Sequence, residues 1–312
     1  MSLSVAISRG GAIYQPSVLD GAVWETEIGG APGRFAFSLW DDAALKIGEG
    51  DAVAVTMDGR NVFYGYIFSR RASHTGAVSV TAYDQLRYLK NRDTYVYGDV
   101  TASALVRRVA ASHSLKTGAI AETGVRLEAC VEDNKSLADI LRNALAKTEA
   151  AGGGRYVLYD DFGALSLAGT EDMRRGLLVG ADAGQTFLRS VSIDRDSYNT
   201  VKLVCERKSG RSIFTAEDPQ NAARWGKLQY FEKIPDNVNG QAMAAALLRQ
   251  YNRERRELYI GGVPGDPAVR AGCSLYLSAW LAGGADAACS VERARHRWEG
   301  GGYTMDLELT YA

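Results

Sequence analysis

Residues 82–110 read AYDQLRYLKNRDTYVYGDVTASALVRRVA. Just before and into this stretch, Val78, Val80 and Ala82 alternate with other residues, the period of a half-buried strand. At its far end Leu105, Val106, Val109 and Ala110 fall on one helical face, and Thr101 stands where an N-cap would. A tyrosine-rich connector lies between. The period therefore switches from strand to helix across a short connector, which predicts a junction where a β-region hands over to a helical insert. No catalytic pattern occurs in it.

Working outward, the first 90 residues are dominated by strand patterns. Phe35, Phe37 and Leu39 alternate with Ala36 and Ser38. Val53, Val55 and Met57 lead into Asp58-Gly59, a hairpin turn signal, and Val62–Phe68 returns. Short strands with Gly-rich turns predict a small antiparallel barrel or sandwich. From about residue 91 to 185 the pattern is mixed. Ser136-Leu137-Ala138-Asp139 looks like a capped helix start, with Leu137, Ile140, Leu141, Ala144 and Leu145 on one stripe. Gly152-Gly153-Gly154 ends that helix, and Tyr156–Tyr159, a turn at Asp161-Phe162-Gly163, and Leu165–Leu167 read as a hairpin.

From about Phe187 the strand signal returns, with Val191 and Ile193, then Val201 and Leu203. One Ala-rich helix, Gln241 to about Arg253, is expected behind an Asn239 cap. Leu258 and Ile260 follow. In 271–285, Leu275, Leu277, Ala279 and Leu281 alternate with Tyr276, Ser278 and Trp280, as a strand would. The cleanest alternation is the last: Tyr303, Met305, Leu307 and Leu309 against Thr304, Asp306, Glu308 and Thr310. Two β-regions thus flank a mixed insert, and they share no readable repeat.

The 312 residues are 46% hydrophobic and 23% charged, the composition of a globular chain long enough for two or three domains. Thirty-six basic and 37 acidic side chains leave a net charge of −1, without the basic surplus of a nucleic-acid binder. Neither a secretory signal nor a membrane span is expected: residues 1–17 lack a charged start and an apolar run, and 271–285 is too short to cross a bilayer. The four cysteines, Cys130, Cys205, Cys273 and Cys289, are not in metal-ligand spacing. An even count allows two disulfides, but without a secretory signal four reduced, mostly buried thiols are expected.

The common phosphate-loop, zinc-protease, nucleophile-elbow and EF-hand patterns are missing. Gly152–Gly154 follows a helix and precedes a strand, the reverse of a phosphate loop. His74 reads as a loop residue and His113 as a helix end. His296 sits among Arg293, Arg295 and Arg297, which would lower its proton affinity. Asp41-Asp42 and Asp160-Asp161 are adjacent pairs at strand ends, so their side chains diverge and cannot flank one glycosidic bond. Arg253, Arg255 and Arg256 alternate with Glu254 and Glu257, a solvated or interface face. Two aromatic groups are candidate interface residues: Tyr83, Tyr88, Tyr95 and Tyr97 at the first junction, and Trp225, Tyr230 and Phe231 in an expected loop. Interface and plain packing account for them equally well.

The run A-Y-D-Q-L-R-Y-L-K-N at 82–91, followed by Y-x-Y-x-x-x-T-A-S-x-L-V at 95–106, resembles the hub proteins of contractile phage tails, the prophage-encoded kind of Gram-positive bacteria. So do Ser197–Leu203 (SYNTVKL), Tyr259–Gly272 (YIGGVPGDPAVRAG), and His296-x-Trp298 before the Tyr303–Leu309 strand. The resemblance covers nearly the whole chain and extends to tail-like bacteriocins and type VI secretion spikes. It implies a mainly β fold in which two small antiparallel β-barrel domains, 1–90 and 186–312, flank an α+β insert, 91–185. The second barrel would carry the Ala-rich helix as an insertion, and the two barrels would superimpose. It further implies a homotrimer, made in the host cytoplasm and placed in the virion tail baseplate, whose six barrels join a six-fold tail tube to a three-fold spike. Its partners would be itself, the tail tube protein, the spike protein and other baseplate proteins. No catalytic, cofactor or metal site is implied. The rival readings are a tail-associated peptidoglycan hydrolase and a carbohydrate-binding β-module.

Overall fold

The computed structural model describes residues 2–42, 45–180, 182–207, 210–234, 236 and 238–311. The first region supplies β1 (Leu3–Arg9), β2 (Ala12–Tyr14), β3 (Ala22–Glu27), β4 (Arg34–Trp40), β5 (Ala52–Met57), β6 (Arg60–Ala72) and β7 (Ala77–Tyr83). The alternating residues Phe35, Phe37, Leu39, Val53, Val55, Val78, Val80 and Ala82 are all buried. Asp58 and Gly59 both take positive φ, as the primed turn of a tight hairpin requires.

A short 3₁₀ helix, Gln85–Lys90, opens the middle region. It continues through β8 (Arg92–Tyr97), β9 (Val100–Thr101), α1 (Ala102–Ser112), β10 (Thr117–Ile120), β11 (Arg126–Leu127), β12 (Cys130–Ser136), α2 (Leu137–Ala150), β13 (Tyr156–Asp160) and β14 (Leu165–Gly169). Both predicted caps form. Thr101 Oγ1 accepts from the Ala104 N–H at 3.2 Å, and Ser136 Oγ accepts from the Asp139 N–H at 3.1 Å. The apolar faces of α1 and α2 share a core with Leu165 and Leu167, and Gly152 and Gly154 at positive φ end α2.

The last region holds β15 (Arg174–Val179), β16 (Thr186–Ser192), β17 (Thr200–Arg207), β18 (Gly210–Glu217), α3 (Pro219–Trp225), β19 (Gln229–Lys233), α4 (Gly240–Tyr251), β20 (Arg255–Pro264), β21 (Ser274–Leu277), α5 (Ala279–Ala282), β22 (Ala287–Glu299) and β23 (Gly302–Tyr311). The fold is mainly β, as expected. The barrels are not: among the described residues one open sheet runs β16-β20-β23-β22-β3-β4-β7-β6-β5-β1-β2, with β21 on β22 and β15 on β21. The first and last regions are thus halves of one sheet, each with its own core.

The reason lies in β22. Its first residues, Ala287–Ser290, pair with β21, and its last, Arg293–Trp298, pair with β3. Joining two strand edges satisfies backbone groups that two separate sheets would each leave unpaired.

Three further expectations change. β15 lies within 91–185 but joins the large sheet. Val201 and Leu203 belong to a separate three-stranded sheet, β18-β17-β19, whose core includes Ala244 and Leu247 of α4. The Ala-rich helix therefore does lie outside the main strand order, but as part of a larger insertion. The alternation in 271–285 ends at Leu277: Asp286 Oδ1 accepts from the Ala279 N–H at 2.6 Å, and the chain turns into α5.

At the seam, β22 turns Ala294, His296 and Trp298 inward and Arg293, Arg295 and Arg297 outward. The His296 ring is fully buried and stacks on Trp24 of β3, with ring centroids 4.7 Å apart. Its Nε2 lies 2.9 Å from the Val269 carbonyl oxygen and must donate there, so Nδ1, 2.9 Å from the Tyr303 hydroxyl, accepts. Burial first of all pushes the imidazole down to about 4. Its neutrality was legible beforehand, but desolvation is the main cause rather than the three arginines, which point the other way.

In the unfolded chain this imidazole regains its ordinary value, about 6.5. The unfolded state then binds the proton first as pH falls, so this contribution to stability is complete above about 6.5 and lost on the way down to about 4. The loss should be on the order of 3 kcal/mol. Titration by NMR should show the His296 ring neutral until about pH 4; a midpoint near 6.5 in the folded chain would contradict the buried seam.

Candidate functional site

The motif that opens the sequence analysis has a structural meaning in Asp84 and Gln85. Asp84 follows β7 and caps the 3₁₀ helix, its Oδ1 accepting from the Leu86 N–H at 3.0 Å. Its Oδ2 accepts from the Gly33 N–H at 2.9 Å, just before β4. A Cβ at position 33 would stand 2.4 Å from Asp84 Oδ2, so any other residue there would displace that carboxylate. Gln85 reaches the other way. Its Nε2 donates to the Gly163 carbonyl at 2.6 Å and to Asp160 Oδ2 at 3.3 Å, and its Oε1 accepts from the Lys116 N–H at 2.9 Å. From the last region, Arg270 lies over the Tyr159 ring at 4.7 Å and donates to the Asp160 carbonyl at 2.8 Å. One polar cluster therefore ties all three regions together.

Asp84 and Asp160 are 3% and 5% exposed. Burial pushes both carboxyls above the ordinary range; the Asp160 charge adds to the rise at Asp84, while Arg270 opposes it at both. Their oxygens are taken up by backbone N–H groups and Gln85. The adjacent pair does diverge: Asp160 is buried and Asp161 exposed. The carboxylates that do share an environment, Asp84 and Asp160, lie far apart in sequence, and no local pattern pointed to their meeting.

The aromatic candidates divide. Tyr95 and Tyr97 are 5% and 4% exposed and belong to the middle core, so packing takes them. Tyr83 and Tyr88 are half-buried and both meet Phe68, Tyr83 edge-on at 5.5 Å and Tyr88 tilted at 6.0 Å; Tyr88 also meets Tyr66 at 6.1 Å. Tyr64 extends the row to Phe162 of the middle hairpin at 5.6 Å. Sequence reasoning missed Tyr64, Tyr66 and Phe68, although Y-x-Y-x-F against Phe63 and Ile67 is a two-faced strand pattern. Trp225 ends α3, and Tyr230 and Phe231 lie on β19, so the expected loop is regular structure. Tyr230 stacks on Tyr251 at 5.5 Å, whereas Phe231 is 49% exposed. The two groups sit on different sheets and do not form one site.

His74 lies in the β6–β7 turn, and His113 caps the end of α1. Cys205, Cys273 and Cys289 are buried and Cys130 half-buried, all as free thiols. Among the described residues no His, Cys, Asp and Glu group has the geometry to hold a metal, and no helix is long and apolar enough to cross a membrane.

Two outcomes follow from this geometry. Asp84→Ala leaves the Gly33 and Leu86 N–H groups buried without acceptors and should cost about 2–4 kcal/mol by denaturant unfolding, whereas Asp84→Asn, which keeps an oxygen, should cost less. Equal losses would show that the acceptor role is not what matters. Under denaturing, non-reducing conditions four thiols should titrate; fewer than three would contradict the packing.

Comparison with known proteins places this architecture. A family model described as YQBQ-like matches residues 22–310. The chain is 30% identical over 275 residues to the phage-like element PBSX protein XkdQ of Bacillus subtilis, covering 86% of this chain and 84% of that one. It shares its fold with the 43 kDa tail protein of prophage MuSo2 from Shewanella oneidensis, at a TM-score of 0.72, 14% identity and 98% coverage of both chains. It is also similar to the Escherichia coli c3393 protein, a type VI secretion system component with structural similarity to the T4 tail proteins gp27 and gp5. There the TM-score is 0.56 at 12% identity, over 100% of this chain and 76% of that one. The resemblance carried by residues 82–106 is borne out, and the chain belongs to the YQBQ-like family.

Proposed function

We propose that this chain is a structural hub protein of a contractile phage tail or tail-like particle, joining tail tube to spike. The observation that carries the reading is the fold shared with a prophage tail protein over 98% of both chains. The relative from a phage-like element supports the same setting, and the type VI component supports the spike-proximal place.

The working unit is a homotrimer in the virion baseplate, with tube protein above and spike protein below. Each copy brings two sheet halves with separate cores, and three copies bring six. That is how a three-fold object meets a six-fold one. Two closed barrels per chain are not available for the task; the paired lobes of one open sheet take their place. A near-zero net charge leaves little long-range repulsion between copies. Tyr83, Tyr88, Trp225 and Phe231, which keep exposed surface, are the aromatic residues available for neighbours.

The role is non-enzymatic. The buried carboxylates hold the regions together, so the purified chain should leave a suspension of bacterial cell walls turbid. Clearing of the suspension would favour the hydrolase reading. The stoichiometry is checked by imaging the intact particle, which should show three copies at the tube tip; six copies, or one, would refute the adaptor role.

A further inference from the structure

We propose that the outer edge of β16 is the surface by which one copy joins the next, pairing with the free edge of β1 in the neighbouring copy. The proposal rests on the ring reading above and adds the contact that would build the ring.

β16 ends the large sheet, with β20 on one side and no strand on the other among the described residues. Along it Phe187, Leu188 and Val191 are 50%, 68% and 55% exposed. Beside it Trp280, 58% exposed, meets Phe187 edge-on with centroids 4.9 Å apart, and on the other face Tyr259 of β20 stands opposite Leu188. Edges that remain in water are blunted by proline, lysine, a bulge or shortness. β16 is seven residues long, pairs with β20 without a register shift, and carries one charge, Arg189. An apolar rim on an unblunted edge is a docking surface.

The other end of the sheet supplies the complement. β1 is paired with β5 over Leu3–Ser8, but on its outer side β2 covers only Ile7–Arg9. Among the described residues no strand pairs with the outer side of 3–6, which borders a groove of about 500 Å³ lined by Leu3, Val5, Asp20, Trp298 and Glu299 among others. That lining has two carboxylates and no basic group, opposite in sign to Arg189. The buried Trp298 indole N–H in its wall has no hydrogen-bond acceptor.

The chain already joins two sheet lobes in this manner within itself, β22 to β3, over six residue pairs. A junction of the same kind from β16 to β1 uses two different surfaces, so each copy offers one end and accepts the other. Repeated contacts of that type close into a three-copy ring when the rotation from one copy to the next is a third of a turn.

The test is the full chain carrying Leu188→Glu and Val191→Glu. Both positions are exposed, so its melting should match the parent, while its rings, counted by mass photometry and electron microscopy, should fall at least tenfold. Val96→Glu, at another exposed apolar position, should leave rings intact. In parent rings, hydrogen exchange should slow in 186–192 and 3–6 relative to the non-assembling variant. Rings that persist in the double variant, or protection confined to other segments, would overturn the edge contact and leave the ring reading standing. A parent chain that never forms three-copy rings, alone or in particles, would overturn both.

Discussion

The pairing of β22 with β3 is the constraint on which the rest of the sheet depends. It brings residues 293–298 beside 22–27, so that chain segments from opposite ends of the sequence become neighbouring strands. The hairpin of β22 and β23 serves both halves: Val291, Ala294, Leu307 and Leu309 fill the core of the last region, and Trp298 and Tyr303 fill that of the first. His296 stands at the crossing, held by Val269 and Tyr303 and covered by Trp24. A one-residue slip would turn the three outward arginines into the core and expose the aromatic residues, so the register is strongly fixed. Outside, Arg293 pairs with Glu27 and Glu308, Arg295 with Glu25, and Arg297 with Asp306. Exposed pairs of this kind are each worth about 0–1 kcal/mol, so burial holds the seam and the charges favour the correct partner strand.

The second weld is the polar cluster of Asp84, Gln85, Asp160 and Arg270. A buried polar network contributes less to raw stability than apolar packing of equal volume, because its members leave water at a cost. Its effect is geometric. Gln85 can satisfy Gly163 and Lys116 only with the middle hairpin in one place, and Asp84 can satisfy Gly33 only with β4 in one place. The short motif by which the chain resembles its family is thus the site where the first sheet, the middle region and Arg270 are fixed to one another.

These two welds are consistent with the structural role proposed for the chain. The side chains with unusual chemistry are enclosed: the neutral histidine, Asp84 and Asp160 engage backbone groups, and the buried Glu132 engages Lys135 and Tyr97. Of the apolar side chains left in water, Phe187, Leu188, Val191 and Trp280 lie at one end of the large sheet, while Ile13 lies at the other and Val96, Val131 and Ile213 lie on smaller sheets. A rigid interior with an adhesive rim is the arrangement expected of a subunit that acts by fitting its neighbours.

By itself the sequence determined what local forces decide. The Thr101 and Ser136 caps, the Asp58-Gly59 turn, the helix stop at Gly152, and the buried faces of β4, β5, β7 and β23 all follow from spacing and turn chemistry within a few residues. The family resemblance was legible for the same reason. Only the tertiary structure decided that β22 and β3 share an edge, that Val201 and Leu203 leave the main sheet, and that Asp84 lies near Asp160. Alternation gives a strand and its buried face but never its partner. Whether Tyr95 packs inward while Phe231 faces water likewise depends on which elements cover them. Pairing between distant segments is chosen by the joint burial of many side chains, a property that no single stretch of sequence contains.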